Sequence, residues 1–138
     1  MSASTSGWLL VSLYFAGPLG RRDLGAWSHL VATADWINHG ILMHEELVSG
    51  MRNLSSRGLL EERRGAIRLT RKARRALTMA YGKRKRMSVF KLWGAANELI
   101  ERQVPGPARV RPVTRSFFDR AVEAYYEPGR ARKERTRK

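Results

Sequence analysis

From Gly40 to Thr70 the chain runs through a pattern that few folds accommodate: an amphipathic helix, an abrupt stop and a short ribbon. Leu47, Met51 and Leu54 recur at the three-and-four spacing of one helix face, with Val48 beside them. Arg57-Gly58 ends that run with the small residue that tolerates a left-handed helix terminus. Two short segments follow, Leu59 to Arg63 and Ala66 to Leu69, turning at Arg64-Gly65. In the second, Ile67 and Leu69 lie two apart and point to one side, leaving Arg68 on the other. The spacing predicts a helix over about 43–56 and a two-stranded hairpin directly behind it.

Upstream, Trp8 to Ala16 is an apolar run. It is too short to span a bilayer and no basic segment precedes it. A buried first helix over 7–16 is expected, with Ser6 as its cap. Leu24, Trp27, Val31 and Ala34 mark a second helix over 24–38, closed by Asn38-His39-Gly40. Downstream, Thr70 can cap a helix over 71–81, and Gly82 to Arg86 is a basic break. Phe90, Trp93, Asn97, Ile100 and Val104 mark a helix over 87–103. Pro105, Pro107 and Pro112 make the next stretch a linker, and Phe117, Phe118, Ala121, Val122 and Tyr125 give a last helix over 114–126. The expected class is mainly α with a small β-hairpin. The expected division is a module over 1–82, a helical extension over 83–128 and a disordered basic tail over 129–138.

Charge narrows the function. Lys and Arg number 27 against 12 Asp and Glu, a net of +15. Residues 1–56 carry a net of −1, residues 57–86 a net of +10 and residues 87–138 a net of +6. The positive field therefore begins at the hairpin. A field of this density calls for a polyanionic partner. Cysteine is absent, which excludes disulfides, thiolate chemistry and cysteine-based zinc sites. His29, His39 and His44 have no metal-binding spacing, and Glu45-Glu46 and Glu61-Glu62 are sequence neighbours that point apart. No nucleophile, base and orienting group can be assembled. Neither an enzyme nor a metal or cofactor site is expected.

The turn at His39-Gly40-Ile41, the Leu47/Met51/Leu54 register, the exit Ser56-Arg57-Gly58-Leu59-Leu60 and the return Arg68-Leu69-Thr70-Arg71-Lys72-Ala73 resemble the winged helix-turn-helix. Over residues 7–80 the chain is similar to the MarR- and PadR-type repressor modules of that superfamily. The resemblance implies a cytoplasmic transcriptional regulator that binds double-stranded DNA. It puts Ser49, Arg52 and Asn53 of the recognition helix in the major groove and the hairpin, as the wing, in the minor groove. Arg63, Arg64, Arg68, Arg71, Lys72 and Arg75 would hold phosphates or, at Arg64 or Arg68, the minor groove. Such modules commonly open the recognition helix with Ser or Thr, whereas here Met43 stands there, followed by His44, Glu45 and Glu46. Those carboxylates suit a helix N-terminus but repel phosphate. Affinity is accordingly expected from the wing, and the alternative is a module docking on RNA or protein through the acidic edge.

The resemblance also implies pairing, since such repressors bind two half-sites. Phe90, Trp93, Ile100, Phe117 and Phe118 form the expected homodimer interface, the alternative being that they fold back on the first helix. Trp27, Trp36 and Trp93 could stack on bases, but packing is the expected use.

Overall fold

Helix α1 (Ala3–Ala16) is the axis around which three other helices gather. The computed structural model describes residues 3–82 and 88–127, and within them every residue from Ser6 to Leu13 is buried. A helix apolar on all sides can satisfy itself only in the middle of others. Ser6 is not its cap. It lies one turn inside, where its hydroxyl accepts a hydrogen bond from Asn53 Nδ2 at 2.8 Å. Ser12 is equally buried and donates to the carbonyl of Trp8 at 2.7 Å.

Strand β1 (Leu19–Gly20) follows, and then α2 (Leu24–Asn38), opened by Asp23, whose carboxylate accepts from Ala26 N at 3.2 Å. His39 takes the left-handed conformation that closes α2. Helix α3 (His44–Ser56) starts without a side-chain oxygen at Met43, and Glu46 supplies the cap from the other direction by accepting from Met43 N at 2.9 Å. Gly50 lets α3 come close to α1, because a Cβ there would stand 2.6 Å from Leu9 Cδ2.

Strands β2 (Leu60–Arg63) and β3 (Ala66–Leu69) pair antiparallel, Arg63 opposite Ala66, so the connection is the two residues Arg64 and Gly65. Both have positive φ, 54° and 76°, the signature of the tight turn whose twist matches that of the strands. β1 adds to the other side of β3, with Leu19 opposite Ile67, giving the order β1-β3-β2. The two-residue β1 has no periodicity of its own to betray it in sequence.

Helix α4 (Arg71–Gly82) buries Ala73 and Leu77, α5 (Val89–Arg102) buries Leu92, Ala96, Leu99 and Ile100, and α6 (Arg115–Tyr126) buries Phe118 and Ala121. The result is mainly helical with one small antiparallel sheet. One hydrophobic cluster joins α1 to α4 with α5 and α6, so the segment expected as an extension shares the core of the module. α5 packs along α1 more extensively than any other element, and α6 lies on α2. Trp93 stacks on Trp8 at 6.5 Å and Phe117 meets Trp27 edge to face at 6.3 Å. Ile100 and Phe118 are each 1% exposed. Of the five side chains expected at a dimer interface, these four pack within the chain and Phe90 alone is broadly exposed. Folding back wins because α1 needs cover on the side that α2 and α3 leave open. The described part of α4 runs to Gly82, while the rest of the basic break and the basic tail from residue 129 lie outside the described residues.

Candidate nucleic-acid interface

The α5–α6 connection is a strap that runs the length of α3. Gly106 N donates to Ser56 O at 2.6 Å, and Arg109 N and Val110 N both donate to Ser55 Oγ, at 2.8 and 3.0 Å. At the far end of α3, the His44 ring meets Val113 O at 2.9 Å and Arg115 pairs with Glu45 at 3.3 Å. Val110 and Val113 are buried anchors, while Arg109 and Arg111 stay exposed. The strap also borders the hairpin: Pro107, Arg109 and Val110 share a groove of about 420 Å³ with Leu60, Glu61 and Glu62.

This arrangement decides what α3 presents. Glu45 and Arg52 are its exposed residues, with Ser49 and Ser56 half-buried on the same side. Ser49, Arg52 and Ser56 line an open groove of about 600 Å³ with Glu101 and Gly106. Asn53 belongs to the scaffold instead. Its amide nitrogen is held by Ser6 and its oxygen accepts from Arg57 Nε at 2.8 Å. Arg57 in turn donates to the carbonyls of Ile100 and Gln103, both at 2.8 Å, and so binds the end of α3 to the end of α5. An amide engaged at both ends has little left for a base edge.

The hairpin divides its charges. Glu61 accepts from Arg68 Nε at 3.2 Å, and Glu62 takes two bonds from Arg21, at 2.8 and 2.5 Å. The Arg21 hydrogen bonds hold the Glu62 carboxyl below the usual carboxylate range, and Glu62 raises Arg21 in return. Arg21 also donates to Arg111 O at 2.8 Å, fastening the strap to the hairpin. Glu61 is thus answered across the hairpin, and Glu62 by the segment that follows β1. Arg63 and Arg64 at the tip are exposed and make no ion pair among the described residues.

On α4, Arg71, Arg74 and Arg75 are exposed, whereas Lys72 is engaged by the Gln103 side chain. Of the DNA-binding residues expected from sequence, Arg63, Arg64, Arg71 and Arg75 reach the surface as cations without an acidic partner among the described residues. Arg68 is paired, Lys72 is occupied and Asn53 is held within the framework. The fold also brings in cations that stand outside the basic run. Arg21, Arg22, Arg111 and Thr114 line a groove of about 360 Å³ beside the hairpin. The alternation Arg109-Val110-Arg111, one residue in and its neighbours out, is the sequence sign of an extended segment lying on a surface.

The described residues hold no cluster of three metal-ligating side chains and no helix long and apolar enough to cross a membrane. Compared with protein-family models, curated proteins and solved structures, the chain matches none.

Proposed function

We propose that the chain is a winged-helix transcriptional regulator of the MarR and PadR kind, binding duplex DNA through its hairpin tip and the cationic face of α4. The order helix, strand, helix, helix, strand, strand over α1 to β3 supports the winged-helix reading. The observation that carries the function is Arg64. It takes φ 54° at the head of a two-residue turn, a place where Asn or Gly sits with less strain. A strained cation at the outermost point of the hairpin, beside exposed Arg63 and above two neutralised glutamates, is arranged to meet an anion. α3 would add Ser49 and Arg52, which line its own open groove beside Glu101 and Gly106. Docking on RNA or protein through an acidic edge has less support, because Glu46 caps α3 and Glu45 pairs with Arg115.

The test is a salt series. Replacing Arg63, Arg64, Arg71 and Arg75 by Ala should weaken binding to all duplexes alike. It should also flatten the slope of log affinity on log salt by about 0.9 for each phosphate no longer neutralised. An unchanged slope would remove this surface from consideration.

A further inference from the structure

Four aromatic side chains meet near the C-terminal ends of α1, α2 and α4. Phe15 is the hub. Its ring stands edge to face with Trp36 at 6.0 Å and 88°, with Tyr81 at 5.9 Å and 82°, and with Tyr14 at 5.3 Å and 72°. Tyr14 OH lies 2.9 Å from Thr78 Oγ1, which fixes the cluster to α4. Packing accounts for Phe15 and Tyr14, both half-buried against the core. It does not account for Trp36, 62% exposed, or Tyr81, 41% exposed. Both rings are oriented by a shared neighbour while keeping much of their surface in water.

The chemistry beside them is cationic. Arg71, Arg74, Thr78 and Tyr81 follow one another at spacings of three and four, so they form one row along α4. Arg71, Arg74, Arg75 and Thr78 line an open groove of about 460 Å³ leading along the helix. α4 carries no carboxylate. The nearest acid in sequence to Trp36, Asp35, is occupied by the Tyr125 hydroxyl at 2.5 Å. Positive charge in a row ending on oriented, exposed rings matches a ligand that alternates anions with flat π-faces.

We propose that the Phe15–Trp36–Tyr81 cluster is a stacking platform for single-stranded nucleic acid, with phosphates following the Arg71–Arg74 row. A lipid surface fits less well. A helix lying in a membrane interface turns its apolar stripe outward, and α4 turns Ala73 and Leu77 into the core. A second copy fits less well too, since two chains of +15 would meet across a cationic rim. The platform does not need the hairpin tip to touch duplex DNA, although the arginines of α4 are common to both surfaces.

Fluorescence anisotropy on the full chain tests it, with labelled poly-dT, poly-U and a blunt duplex as probes. Trp36→Ala and Tyr81→Ala should each weaken poly-dT or poly-U binding roughly ten-fold or more, while Trp36→Phe keeps most of it and duplex affinity stays within about two-fold. Which of the two polymers suffers more assigns DNA or RNA. Arg63→Ala with Arg64→Ala should do the reverse, losing duplex and keeping the single strand. Wild-type binding to oligonucleotide without duplex would sustain the platform and overturn the duplex reading. The platform is refuted by any of three results: single-strand binding indifferent to both aromatic variants, equal loss on duplex, or a Trp36→Ala effect confined to phosphatidylserine vesicles or to sedimentation of a dimer.

Discussion

Arg64 shows how much a single backbone angle can say. A side chain with a Cβ loses roughly 1–2 kcal/mol in the left-handed region, and Asn loses less because its short amide bonds locally. Arg64→Asn should therefore raise stability by about 0.5–1 kcal/mol while weakening duplex binding, measured by thermal melting and by anisotropy on the same preparations. A variant both more stable and equally tight would show that the cation has no part in binding. Trp93 makes the opposite point. As a surface aromatic, Trp93→Asp would release monomers. With its indole stacked on Trp8 beside the core, the same change should cost about 2–4 kcal/mol and broaden the unfolding transition. Retention of the wild-type melting point would contradict that packing.

Helix α3 and its strap form the element on which the proposed interface rests, and Ser55 is their joint. One buried hydroxyl oxygen accepts from two backbone N–H groups, so Ser55→Ala leaves both without a partner. A loss of about 1–3 kcal/mol is expected, with faster amide exchange at Arg109 and Val110 as the local sign. Unaltered exchange there would mean the strap is held by other means. The helices of the first half are readable because each carries punctuation of its own: Asn38-His39-Gly40 after α2, Gly58 after α3, Thr70 before α4. The start of α1 misleads, since Ser6 suits a cap chemically yet faces Asn53 inside the bundle. β1 is too short to have a period. The direction of α5 and α6 is not legible either. An apolar stripe records that a surface is covered, without recording by which neighbour, and a second chain and the first helix are equally good hydrophobic partners for Ile100 and Phe118. At the interface the cations are visible as a run, but their commitments are not. Nothing local says that Arg68 faces Glu61 or that both ends of Asn53 are in use.

At the scale of the whole molecule, two seams respond to pH in opposite directions. Glu62 is depressed by Arg21, so the seam between β2, the segment after β1 and the strap is present above the ordinary carboxylate value and fades as pH falls through the lowered one. Tyr125 is raised because its neutral hydroxyl donates to Asp35, so the seam between α6 and α2 holds at neutral pH and is lost as pH climbs past the usual phenol range. Melting temperatures of Glu62→Gln and the wild type should converge in acid. Those of Tyr125→Phe and the wild type should converge in alkali. The first difference will be small, since the pair is partly solvated. Parallel curves across the whole range would show that neither seam contributes.

The packing of α1 against α5 also sets a timetable for synthesis. α1 leaves the ribosome well before α5, apolar on every side, and that most extensive partner begins only at Val89. At about 5–20 residues per second, the interval is on the order of 4–15 s, during which Trp8 to Phe15 have only α2, α3, the hairpin and α4 to shelter them. A nascent chain halted before α5 would thus be a sticky species, exposing the apolar side of α1 that α5 covers in the finished fold.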